Sequence, residues 1–131
     1  MTVLRRALQA FAAIWTVSGI ALIAVPHWLL MDVFRQPAYP DYAYVQVAGA
    51  AAIALAMLAV LVSRRDDAWW WSTAFAIATG LCATITALHA AIGLPDGASA
   101  GLWWLFAAVS AALTVWLLLG LTRASQEHPV G

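Results

Sequence analysis

Lysine and asparagine are absent from this chain, cysteine occurs once, and no acidic residue falls inside the long apolar runs that fill most of its length. The lone Cys82 excludes an intrachain disulfide and a CxxC redox pair. All six Asp and Glu residues lie between or beyond the apolar runs, which excludes the intramembrane carboxylate that a proton-coupled exporter of this size requires. His89 is the only histidine within a run, His27 and His128 lying outside, so a haem with two axial histidines lacks its second ligand. Cys82 and His89 stand about 10 Å apart along a helix axis, too far to act as nucleophile and base or to share a metal. No phosphate-binding glycine loop or zinc-type spacing occurs. No cofactor, metal or catalytic set is therefore expected. Charged residues make up 9% of the chain with a net charge of zero, so there is no general attraction to nucleic acid.

Apolar residues are what the chain has instead: 65% of 131, against roughly 45–50% in soluble domains. Residues 7–25, 43–62, 69–92 and 102–121 can each cross a hydrocarbon core, which takes about 20 residues of helix. The runs are uninterrupted and rich in Ala, Leu and Ile, without the alternation of a membrane β-barrel. The expected fold is all-α, a transmembrane antiparallel four-helix bundle forming one domain over residues 1–123, with a polar, disordered tail over 124–131. The first run reads as a retained helix. It is about twice the length of a signal peptide's apolar region, contains Trp15 and has no small-x-small cleavage site before Pro26.

The six arginines are lopsided. Arg5, Arg6, Arg64, Arg65 and Arg123 flank the runs on one side and only Arg35 lies on the other, which by the positive-inside rule turns both termini to the cytoplasm. Trp69, Trp70 and Trp71 then form an aromatic belt at that face, with Trp28, Trp103 and Trp104 at the outer one. Pro26 is expected to end the first helix. His27 to Phe34 follows as a short amphipathic interfacial segment, and Pro37, Pro40 and Asp41 extend the chain before the second span. The turns at 63–67 and 93–97 are tight, and Asp66 or Asp67 is placed to cap the third helix.

On the third helix Ser72, Phe75, Thr79, Cys82, Thr86, His89 and Gly93 share one face, opposite Trp70, Ile77, Leu81, Ile85, Leu88 and Ile92. Small and hydroxyl residues there let helices approach and hydrogen-bond, so Thr79, Cys82, Ser110, Gly49 and Ala56 read as packing residues. Phe11, Trp15, Ser18, Leu22 and Val25 on the first helix, and Trp103, Phe106, Ser110, Thr114, Leu117 and Leu121 on the fourth, form matching inward faces. An ionisable group within a span is a candidate for function with a partner. His89 is such a group, with Gln46 on the second helix as its expected partner. His27, Asp32 and Arg35 from the external loop would gather over the same mouth. Arg35, Thr86 and Trp28 complete the candidate ligand-binding set of an outer vestibule.

The basic start, the first helix broken at Pro26, the aromatic outer segment, the stretch Tyr44-Val45-Gln46-Val47-Ala48-Gly49-Ala50 and the Arg64-Arg65 turn together resemble the small DoxX-like group of bacterial four-helix inner-membrane proteins. The resemblance covers most of the chain and implies architecture more than activity. Where that group carries Arg, this chain has Gln46. The arginine- and alanine-rich, lysine-free composition also fits a bacterial source, and the implied location is the inner (cytoplasmic) membrane.

Three functions are compatible with these residues. The first is non-enzymatic association in the lipid bilayer, as an accessory subunit or homo-oligomer, since small-residue faces abound and catalytic pairs are absent. The second is binding or carriage of a lipophilic small molecule, a quinone or lipid, in the outer vestibule. The third is an enzyme acting on a membrane substrate, with His89 as acid or base.

Overall fold

The computed structural model describes residues 2–33, 35, 42–93 and 99–127. Phe34, the Pro37 to Asp41 stretch, residues 94–98 of the second outer turn and the chain beyond Glu127 lie outside the described residues. Four helices, α1 (Thr2–Ala24), α2 (Ala43–Ser63), α3 (Ala68–Leu88) and α4 (Gly101–Glu127), form an antiparallel bundle with no strand among the described residues. Each is long and apolar enough to cross a membrane, the architecture of a multi-pass membrane protein. Ile77, Leu81, Ile85 and Leu88 of α3, and Ile92 just beyond it, are all more than half exposed, the pattern expected of a lipid-facing stripe.

The first helix ends just before Pro26 as expected, whereas the ends of α3 and α4 differ from the sequence expectation. α1 stops at Ala24, before Pro26, and the chain bends at Val25 before a π-helical turn over Trp28–Val33 that buries Leu30. Pro26 carries no N–H and so interrupts the i→i−4 ladder there. α3 runs on into a second π-helical turn, His89–Gly93. α4 continues through the segment expected to be disordered: Ala124 is fully buried and helical geometry persists to Glu127. No helix breaker stands between Gly120 and Pro129, and Ala124 packs into the core, which is enough to hold the polar last turn.

Around the bundle the order is α2, α1, α4, α3, with extensive packing of α1 on α2, α1 on α4 and α3 on α4, while α2 and α3 barely touch. Glycines set the two closest crossings. A methyl group added at Gly19 of α1 would lie 2.6 Å from the Gly49 carbonyl oxygen of α2, and one at Gly49 would lie 2.7 Å from that of Gly19. The α4–α1 crossing is equally tight, since a methyl at Gly120 would lie 2.6 Å from Leu4 Cα. Such backbone-to-backbone approach is how helices associate where lipid competes for every apolar side chain.

The core gathers at the end that carries Arg5, Arg64, Arg65 and Arg123, here called the arginine end; the opposite end is the loop end. Leu4, Leu8, Phe11, Phe75 and Leu117 interlock there with Ala56, Ala59, Ala68 and Ala124. Phe11 stacks on Trp15 at 4.9 Å between centroids and meets Phe75 edge-on at 5.2 Å. α3 and α4 are joined by a hydroxyl pair, with Thr114 Oγ1 2.8 Å from Thr79 Oγ1 across the interface and 2.7 Å from the Ser110 carbonyl on its own helix, while Thr79 reaches the Phe75 carbonyl at 3.0 Å.

Asp67 occupies the N-cap position of α3, but its carboxylate does not cap the helix. Arg65 Nε and Nη2 donate to its two oxygens at 2.7 and 3.2 Å, and Trp71 Nε1 donates at 3.1 Å. A bidentate guanidinium two residues away outcompetes the backbone amides. Arg65 also lies 5.7 Å from the Trp71 ring centroid. The Arg65 hydrogen bond, with a smaller one from Trp71, holds the Asp67 carboxyl below its ordinary value of 3.8.

Candidate functional site

Because the core is concentrated at the arginine end, the loop half of the bundle is left hollow. A partly open pocket of about 490 Å³ lies there, walled by Ile14, Trp15, Val17, Ser18, Ala21 and Leu22 of α1, Leu29 and Leu30 of the π-helical turn, Ala48 and Ala52 of α2, Cys82 and Thr86 of α3, and Leu102, Trp103, Leu105, Phe106, Val109 and Ser110 of α4, with Val17 and Leu105 more than half exposed at its rim. Such a volume lies within the roughly 300–1,000 Å³ of small-molecule sites. The lining is almost wholly apolar and contains no Asp, Glu, Lys, Arg or His. Every helix contributes, and the weakly packed α2–α3 side offers only the short side chains of Ala48, Ala52, Cys82 and Thr86.

The residues singled out from sequence are dispersed by this geometry. Thr86 lines the chamber, its hydroxyl donating to the Cys82 carbonyl at 2.6 Å so that its oxygen lone pairs remain as acceptors. His89 and Gln46 do not line it. The His89 ring meets Trp103 edge-on, 4.4 Å between centroids, and fills the space left by Gly93, where an added methyl would lie 2.7 Å from His89 Nδ1. His89 therefore supports the wall from behind, through Trp103. Gln46 Nε2 donates to the Ile23 carbonyl at 3.2 Å, supplying a donor to the end of α1 just where Pro26 breaks the ladder. Its side chain ties α2 to α1.

Trp28 is exposed on the π-helical turn, while its neighbours Leu29 and Leu30 face the chamber. Arg35 is exposed and adopts a left-handed backbone, φ 53°, with its carbonyl accepting from Ser99 N at 3.4 Å. Asp32 is exposed, and His27 packs on Tyr42 at 5.4 Å between ring centroids. Among the packing residues, Gly49, Ala56 and Thr79 are buried between helices, whereas Cys82 and Ser110 both look into the chamber. Ser18, Leu22, Trp103 and Phe106 read from sequence as inward packing; here they are cavity wall. Among the described residues no three His, Cys, Asp or Glu side chains come together as a metal site.

Comparison with protein families, with curated proteins and with solved structures finds no match to this chain.

Proposed function

We propose that the protein is a non-enzymatic membrane binder of a lipophilic molecule, held in the chamber of the loop half. The observation that carries this reading is a 490 Å³ apolar pocket, partly open to the outside of a bundle whose other half is filled. A lipophile from the bilayer seated there gains dispersion contacts with an almost wholly apolar wall. The α2–α3 side, with its short side chains, is the route by which such a molecule enters from the membrane. A reading by association with a second copy draws less support. The stripe Gly49, Ala52, Ala56 and Ala59, which could have met a partner, is buried within this chain. Arginine asymmetry supports a cytoplasmic arginine end and a chamber in the outer leaflet. DoxX-like kinship would put the bundle in a bacterial inner membrane.

Native mass spectrometry from mild detergent tests the binder directly. The wild type is expected to carry a lipophilic adduct at near one-to-one occupancy, and Thr86→Phe and Ala48→Phe, which fill the chamber from either side, are expected to lose it. Identical adduct levels in all three proteins would sink the reading.

A further inference from the structure

The chamber has a polar mark deep in its wall. Membrane-helix hydroxyls ordinarily donate to a carbonyl one turn back, and the buried ones here do so: Ser63 to Val60 at 2.7 Å, Ser72 to Ala68 at 2.6 Å, Thr79 to Phe75 at 3.0 Å. Ser110 is the exception among the described buried hydroxyls. It is 6% exposed and lines the chamber, and although its carbonyl lies 2.7 Å from Thr114 Oγ1, its own hydroxyl makes no hydrogen bond among the described residues. Ser18, half-buried in the same wall on the neighbouring helix α1, likewise has a hydroxyl with no hydrogen bond among the described residues. At 1.5 Å per residue Ser18 lies about 9 Å and Ser110 about 13 Å from the loop-end tips of their helices, well inside the apolar layer. Both hydroxyls face a pocket open toward the apolar layer, where a hydrogen-bonding partner on a guest is worth more than it is in water.

We propose that Ser18 and Ser110 are the recognition point of the chamber and that its ligand is an uncharged lipophile bearing a carbonyl oxygen at the end that enters deepest. This rests on the binder reading above and narrows its ligand. A carbonyl oxygen has two lone pairs and can accept from both hydroxyls. A hydrocarbon leaves both donors unmet. An ionised head group would be buried against a wall that holds no opposite charge, which is costlier still.

The test compares two matched probes, methyl laurate and dodecane, titrated into the detergent-purified full chain and quantified by gas chromatography of the protein-bound fraction. Wild-type protein is expected to retain the ester about tenfold more tightly than the alkane, the order of magnitude of two neutral hydrogen bonds. With Ser18→Ala and Ser110→Ala combined, the two probes are expected to bind alike, with dodecane retained as in the wild type, which also shows that the variant folds. Equal affinity of wild-type protein for the two probes overturns the carbonyl assignment and leaves the binder reading intact. Retention of neither probe overturns the binder reading itself.

Discussion

The arginine half and the loop half of the bundle share the same four helices and much the same residue types, yet one is filled and the other is hollow. At the arginine end large and small side chains alternate across the interfaces, Leu4, Phe11, Phe75 and Leu117 fitting against Ala56, Ala59 and Ala124. At the loop end α1 and α2 still touch at Gly19 and Gly49, but Trp103 and Phe106 of α4 stand as wall around open volume. The difference teaches where rigidity and adaptability lie in this molecule. Close packing gives a single arrangement at one end, and fewer internal contacts leave the other freer to rearrange.

Truncation should break this comparison most strongly. Phe11→Ala, at a fully packed site, is expected to cost about 3–5 kcal/mol, whereas Phe106→Ala, whose ring already faces a void, should cost under about 1 kcal/mol. Reversible unfolding in mixed detergent micelles measures both, and equal losses would erase the distinction between the halves. A smaller effect is expected at the crossing that borders the chamber. Gly19→Ala or Gly49→Ala places a methyl 2.6–2.7 Å from the opposing carbonyl oxygen, so the helices must part, at about 1–3 kcal/mol by the same assay. If Gly19→Ala proves neutral, the α1–α2 approach is looser than drawn and the chamber wall with it.

The smallest effect concerns the exposed turn at the arginine end. Asp67 has its carboxyl lowered by Arg65 and Trp71, so its contribution to stability is present above the ordinary value near pH 3.8 and fades as pH falls through the lower folded value. Asp67→Asn should therefore flatten the acid limb of the stability profile slightly and leave neutral pH nearly unchanged, because both side chains of the pair are about half exposed and solvent screens them. A large loss at neutral pH would show that the turn, not the Phe11 core, secures this end.

The four spans were legible because no Asp, Glu, Lys or Arg interrupts them, and the inward stripe of α3 because Ser72, Thr79 and Thr86 contrast with Ile77, Leu81 and Ile85 on the other side. The chamber was not legible. A cavity is a shortage of side-chain volume between helices, set by how they are spaced, and Phe106 in a wall has the same sequence signature as Phe75 in a core. Gln46 escaped for a related reason: its partner is the backbone carbonyl of Ile23, which no residue type advertises. Ser110 looks like Ser72 in sequence, and only the absence of a back-bonded carbonyl sets it apart. The last turn of α4 was misjudged from its polarity, since tertiary burial of Ala124 overrides local composition.

The ring order α2, α1, α4, α3 also dictates a sequence of events during biogenesis. Two of the major interfaces join helices that are consecutive in the chain, so the α1–α2 hairpin can zip up while the rest is still being synthesised. The α1–α4 interface cannot. It needs Gly120 to reach Leu4 across almost the whole described chain, so α1 waits with one flank uncovered until α4 has been inserted. Both chamber and core acquire their fourth wall only at that moment, which makes α4 the keystone of the assembly.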